Sequence, residues 1–199
     1  MARRDVTTDV RRLLADLEMT ILDCATLTGR AATVASPPAG LDPSVKALLS
    51  RRHPDGIYTH QALALDKLIN GADVCVATST ASGKSLIFMA GAIHVLRRHV
   101  GSKILALYPA KALMQDQAAK WAELLRGTGF SHALIHGDVP IATRKRLLAD
   151  HDVILMTPDV AHAWLMSNCG ESRLRDFIRC TRLLILDEAH CYDGVFGTN

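Results

Sequence analysis

Hydrophobic positions along this chain follow two rhythms. Val10, Leu13, Leu14, Leu17, Ile21 and Cys24 recur at helical spacing, with Thr7 or Thr8 as a cap and Gly29 beyond the end, so a helix is expected over residues 7–27. Ser36-Pro37-Pro38-Ala39-Gly40 then breaks any period and reads as a linker. Asp42-Pro43 offers an N-cap followed by Pro at the first helical position, opening a short helix to Arg52. From residue 59 onward, helical stretches (59–70, 84–99, 110–126, 140–150, 158–166 and 172–179) alternate with apolar runs of strand length (73–77, 103–108, 133–136, 152–156 and 183–187). The runs are nearly continuous rather than alternating, as in strands covered on both faces, and the order predicts an α/β fold with a parallel sheet flanked by helices. No internal repeat or low-complexity tract interrupts it.

Composition narrows the class. With 199 residues and 49% apolar side chains, the chain can bury a full core and is not disordered throughout. Its 23 basic and 20 acidic residues leave a net charge of +3, too small to mark a nucleic-acid binder by charge alone. No apolar run approaches the ~20 residues that span a bilayer, so no membrane partner is expected. The basic start Met1-Ala2-Arg3-Arg4 is followed by Asp5, Asp9, Asp16 and Glu18, which fits neither a signal peptide nor a mitochondrial presequence. The cysteines (Cys24, Cys75, Cys169, Cys180 and Cys191) are odd in number and none forms a zinc-knuckle pair. They read as reduced thiols of a cytoplasmic protein, with Cys75 as a small core residue inside its apolar run.

Two segments carry chemistry. Val74 to Ser85 reads as a strand, a loop of small residues, and Gly83-Lys84-Ser85 opening a helix. Small residues let backbone N–H groups turn toward phosphate oxygens, and the helix N-terminus adds partial positive charge. In such a loop Lys84 reaches the β- and γ-phosphates and Ser85 offers its hydroxyl to Mg²⁺. The strict G-x-x-x-x-G-K-[ST] pattern is not met, because Thr78 stands where the first Gly would be. A Gly-Lys-Ser tripeptide alone marks any helix start, so the strand–loop–helix context carries the reading. The second segment, Leu183-Leu184-Ile185-Leu186-Asp187-Glu188, is an apolar strand ending in two carboxylates at the ligand-binding edge of a parallel sheet. There Asp187 would hold Mg²⁺ and Glu188 would orient and deprotonate an attacking water.

Together these segments resemble the first RecA-like domain of a superfamily 2 helicase of the DEAD/DEAH type. Tyr58-Thr59-His60-Gln61 resembles the adenine-reading Q motif, Thr78 to Ser85 motif I, and Tyr108-Pro109-Ala110-Lys111-Ala112-Leu113 motif Ia. His136-Gly137-Asp138 resembles the Gly turn between the nucleic-acid motifs, Thr157-Pro158-Asp159 resembles motif Ib, and Asp187-Glu188-Ala189-His190 is motif II letter for letter. The resemblance covers residues 55–199, leaving 1–54 as an N-terminal helical extension and linker. Ser82 to Leu86 and Tyr192 to Gly197 look like the branch of RecQ-four-related and bacterial DNA-repair helicases, although that branch's cysteine-rich zinc module has no counterpart in these residues.

The resemblance implies ATP and Mg²⁺ as cofactors. Gln61 would hydrogen-bond the adenine, with Tyr58 stacking on the base or simply closing a core edge. Thr80, Ala81, Ser82, Gly83, Lys84 and Ser85 would hold the phosphates, Ser85 and Asp187 the Mg²⁺, and Lys84, Asp187 and Glu188 would carry catalysis. Pro109, Lys111, Gly137, Thr157 and Pro158 would meet the backbone of a nucleic-acid strand, DNA by the branch, independent of sequence and sensitive to salt. His190 would couple the two sites, whereas His60 reads as a local cap or surface residue. Arg51-Arg52, Arg97-Arg98 and Arg144-Lys145-Arg146 read first as solvated helix faces and second as further phosphate contacts.

Residues 1–199 hold no stretch resembling the family's motif III or motifs IV to VI of a second RecA-like domain. In the family that domain supplies arginine fingers, worth on the order of 10³–10⁵ in rate. The expectation is therefore a RecA-like P-loop sheet incomplete at its C-terminus: the N-terminal part of an ATP-dependent DNA helicase or translocase. Alone it would bind ATP weakly and unwind negligibly, its partner being a second RecA-like domain in the same or another chain. Two readings stay open beside it, a non-catalytic nucleotide-binding or interaction module and an RNA-directed helicase.

Overall fold

Four of the apolar runs pair into one parallel sheet in a computed structural model of the protein, which describes residues 33–78 and 82–192. The helix expected over 7–27, three residues of the small-residue loop between Thr78 and Ser85 (Ser79, Thr80 and Ala81), and residues 193–197 of the branch pattern lie outside the described residues. The sheet strands are β3 (Lys103–Leu107), β4 (His132–Ile135), β5 (Val153–Met156) and β6 (Thr181–Leu186), in spatial order β4-β5-β3-β6 with every neighbour parallel. Two-residue strands β1 (Val34–Ala35) and β2 (Ile57–Tyr58) form a separate antiparallel pair that the sequence pattern does not show.

Side-chain alternation sorts each strand between two cores. Ile104, Ala106, Val153, Leu155 and Ile185 face one cluster, shared with α1 (Pro43–Arg52), α2 (Thr59–Ile69), α3 (Lys84–Arg98) and α4 (Lys111–Leu125). Ala133, Ile135, Ile154 and Met156 face the other, shared with α5 (Ile141–Asp150), α6 (Pro158–Val160) and α7 (Ser172–Cys180). All four residues of β5 are buried, which is why its run carries no polar alternation. On β6, Leu184 and Leu186 point away from the first cluster and remain 53% and 50% exposed.

Helix α1 starts as its sequence predicts, with Pro43 in the first turn and Asp42 Oδ1 accepting from the Ser44 N–H at 3.0 Å. Its Val45 and Leu49 enter the same core as Leu65 and Ile93, so residues from Thr33 onward form one compact unit with the sheet. The Asp42 N–H also donates to Nδ1 of His94 at 3.0 Å, and burial holds that imidazole below its ordinary pKa, as an acceptor in α3 requires. At the end of β3, the buried Trp121 indole donates to the Tyr108 hydroxyl at 3.0 Å and ties α4 to the sheet.

Three expectations are corrected. Residues 73–77 do not join the sheet: no strand lies beside β6 on its outer side among the described residues, and a strand without a neighbour has no ladder. Val74 and Val76 still pack against the first cluster, but Cys75, on the opposite side of that segment, is exposed rather than in the core. Residues 158–166 are not one α-helix. After α6 the chain widens into a π-helical turn, Ala161–Met166, in which Trp164 and Leu165 are both buried.

Candidate functional site

The register of the sheet collects the motifs. Leu107 is paired with Met156 on one side and Leu186 on the other, and Met156 with Ile135, so all four strands end level. The residues after each strand therefore emerge at a single carboxyl edge: His136-Gly137 after β4, Thr157-Pro158 after β5, Tyr108-Pro109 after β3 and Asp187-Glu188 after β6. With strands ~4.8 Å apart, the expected strand-contact positions occupy one side of this edge and the carboxylates the other.

The phosphate loop is held at both of its described ends. Thr78 and Ser82 share a hydroxyl–hydroxyl bond of 2.6 Å, and Lys84 Nζ donates to the Thr78 carbonyl at 3.0 Å. Gly83 caps α3 at φ 78°, a left-handed conformation that suits glycine. Gln61, 4% exposed, accepts the Tyr58 N–H on Oε1 and donates from Nε2 to the Gly83 carbonyl, both at 2.9 Å. A Cβ at Gly83 would collide with that Nε2. His60 belongs here as well, correcting its reading as a cap or surface group: its Nε2 lies 3.1 Å from the Ser82 carbonyl and its ring stacks on Tyr58 at 5.7 Å. Its position beside Gln61, in the helical turn that faces the loop, is the signal that could have placed it. Ser85 sits half-buried in the first turn of α3.

The carboxylates occupy a constrained turn. Asp187 N–H donates to the Leu107 carbonyl at 3.1 Å, continuing the β3–β6 ladder by one residue, and its Oδ1 accepts the Glu188 N–H at 3.1 Å. Glu188 has φ 50°, the one non-glycine residue with positive φ among the described residues, as functional turns often have. Its carboxylate lies 3.3 Å from Nδ1 of the exposed His190. Burial pushes the Asp187 carboxyl above its ordinary pKa; the bond from the Glu188 N–H opposes that, the Glu188 charge adds a smaller push upward, and the charges of Lys84 and Lys120 oppose it. Lys120 was not singled out in the sequence; it is one helical turn from its ion partner Asp116 on α4. Tyr192, read in the sequence only as part of the branch pattern, also lies near Asp187. Burial, with the Asp187 charge nearby, pushes its hydroxyl up to about 12, and that hydroxyl has no hydrogen-bond partner among the described residues. The oxygen donors of Ser85 and Asp187 suit Mg²⁺, and a carboxyl made reluctant to ionise by burial and a like charge is one that a divalent cation would relieve.

At the other side of the edge, Lys111 is exposed but ion-paired with Asp138, which holds the Asp138 carboxyl below its ordinary pKa. His136 Nδ1 lies 3.6 Å from the same carboxylate. Gly137 is exposed, Pro109 and Pro158 are half-buried, and Thr157 is buried at 8% exposure, its carbonyl accepting the Ala161 N–H. The basic runs divide. Arg52 pairs with Glu123 at 3.0 Å, Lys145 with Glu171 at 2.7 Å, and Arg97 donates to the Thr128 carbonyl while stacking over Phe130. Arg144, expected on a solvated face, is 9% exposed.

Residues 58–199 match the family described as DEAD/DEAH box helicase. The chain is 33% identical over 159 residues to the ATP-dependent helicase hrq1 of Schizosaccharomyces pombe, covering 78% of this chain and 15% of that protein. It is 29% identical over 164 residues to the uncharacterized ATP-dependent helicase YprA of Bacillus subtilis, covering 81% of this chain and 22% of that one. The chain thus spans less than a quarter of the length of these relatives. Among solved structures, the DUF1998 helicase MrfA bound to DNA and AMPPNP superposes with a TM-score of 0.80 at 27% identity, over 94% of this chain and 27% of that one.

Proposed function

This chain belongs to the DEAD/DEAH box helicase family, in the branch of its hrq1 and YprA relatives, and from that premise we propose that it binds ATP with Mg²⁺ and a DNA strand as the first motor lobe of an ATP-dependent helicase. The observation that carries the proposal is the level ending of β4, β5, β3 and β6, which sets Gly137, Thr157, Pro109 and Asp187 side by side. A nucleotide at one end of such an edge and a strand at the other are within reach of the same rigid sheet. DNA is favoured over RNA because the MrfA structure, alike in fold, is described as bound to DNA.

In this reading Lys84 leaves the Thr78 carbonyl for the β- and γ-phosphates, and Ser85 and Asp187 hold the cation. When bound, Mg²⁺ supplies positive charge against the developing negative charge on the phosphate oxygens. Glu188 orients a water and accepts its proton as the water oxygen bonds to the γ-phosphorus and the bond to ADP breaks. Gln61 hydrogen-bonds the adenine edge with the amide N–H and lone pair that its bonds to Gly83 and Tyr58 leave over. His190, next to Glu188, couples hydrolysis to the strand side. Gly137, Lys111, Pro109 and the backbone at Thr157-Pro158 hold the DNA without reading its bases. The functional unit proposed runs from Thr33, because α1 shares its core, with 1–32 as an extension. Fast hydrolysis needs arginines from a second RecA-like lobe, so residues 1–199 alone bind both ligands with slow turnover.

Titrating the chain with a fluorescent ATP analogue, with and without Mg²⁺, and with matched single-stranded DNA and RNA in competition tests the reading. Mg²⁺-dependent nucleotide binding together with DNA outcompeting RNA supports it. Nucleotide binding indifferent to Mg²⁺ argues against the carboxylate roles, and RNA outcompeting DNA would move the chain to the RNA-directed reading.

A further inference from the structure

Arg144 is the one member of its basic run that is buried, and everything its guanidinium touches belongs to the strand side of the carboxyl edge. Nε donates to the Val139 carbonyl at 2.7 Å and a terminal nitrogen donates to the Gly137 carbonyl at 3.0 Å. These carbonyls flank Asp138 in the turn closed by the Val139 N–H on the His136 carbonyl at 3.0 Å. The Arg144 Cζ also lies 5.3 Å from the centre of the Trp164 ring, in the π-helical turn that continues from Pro158. One rigid, planar donor thus spans the Gly137 turn and the segment after Thr157-Pro158, two loops 20 residues apart in sequence.

We infer that Arg144 is a positioning residue for DNA binding: it fixes the Gly137 turn against the segment after Thr157-Pro158 and does not itself contact the strand. The inference rests on the proposed strand-binding role of this edge. It reverses what the run Arg144-Lys145-Arg146 suggests, because a guanidinium on a residue only 9% exposed, bonded to two carbonyls and lying against Trp164, is committed to holding its own fold rather than to a solvated face. Lysine cannot replace it, since a single ammonium cannot reproduce a two-nitrogen fork with fixed geometry.

The test compares Arg144→Lys and Arg144→Met with the unaltered chain. Three quantities are measured: affinity for fluorescent single-stranded oligo-dT across a salt series, affinity for a fluorescent ATP analogue, and amide hydrogen exchange at residues 137–139. Both variants are expected to bind oligo-dT about tenfold more weakly, with nucleotide affinity changed by less than about twofold and a salt slope like that of the unaltered chain. Exchange at 137–139 should rise about fivefold or more while β3 and β5 stay protected. DNA affinity restored by lysine, or a salt slope lowered by about one in Arg144→Met and recovered in Arg144→Lys, would make Arg144 a direct phosphate contact and overturn the inference. If Arg144→Met does not fold, Arg144→Lys, which keeps the stem and the charge, decides alone. If the unaltered chain binds no DNA, the strand-binding role fails by itself. Exchange in Arg144→Lys then still judges the anchoring: faster turn exchange upholds it and unchanged exchange rejects it.

Discussion

The side-chain amide of Gln61 donates to the carbonyl of Gly83 at 2.9 Å, clamping the first turn of α2 onto the residue that starts α3. The same amide accepts the Tyr58 N–H, so the residue before α2 and the Gly83 turn are joined in one link through the buried Gln61. Gly83→Ala should disrupt it in two ways, by disfavouring φ 78° and by driving a methyl into Nε2 of Gln61. The expected outcome is a loss of about 1–3 kcal/mol of stability in denaturant unfolding and a sharp drop in nucleotide affinity.

Asp138 holds the Lys111 ammonium, so a strand phosphate at that position must displace a carboxylate. Asp138→Asn should release Lys111 and remove a like charge from the strand side. Oligo-dT affinity should rise several-fold, with a salt slope steeper by about one. Filter binding across a salt series measures both, and weaker binding would show that Asp138 positions Lys111 rather than competing for it.

Asp187 has the opposite balance. Burial raises its carboxyl, so the folded chain binds that proton more tightly than the unfolded chain. The ionised carboxylate therefore opposes folding at neutral pH, and the penalty fades as pH falls through the folded-state value. Asp187→Asn should melt at a higher temperature than the unaltered chain at pH 7 without Mg²⁺, and the gap should close in acid. The same variant should lose the Mg²⁺-dependent part of nucleotide binding. Thermal unfolding against pH measures the first effect and the ATP-analogue titration the second.

Much of the fold is written in local pattern. The apolar runs at β3 and β5 predict central strands because both of their faces are covered, and Asp42-Pro43 predicts the start of α1 because a cap is a local matter. What escaped the sequence is non-local. The two-residue β1 and β2 are too short to have a period. Of the site, motif II and Gly83-Lys84-Ser85 were legible as spacing. The burial of Arg144 was not, because a basic run on a helix looks the same whether it faces water or two carbonyls. Nor was the contact of His60 with Ser82, which depends on how α2 meets a loop 22 residues away.

The most direct test of the account asks whether nucleotide and DNA occupy separate ends of one edge. Lys84→Ala is measured against the unaltered chain for binding of a fluorescent ATP analogue with Mg²⁺ and, without nucleotide, for binding of oligo-dT. The account predicts that nucleotide affinity falls by about tenfold or more while nucleotide-free DNA affinity stays within about twofold. Unchanged nucleotide affinity, or an equal fall in both, would contradict it.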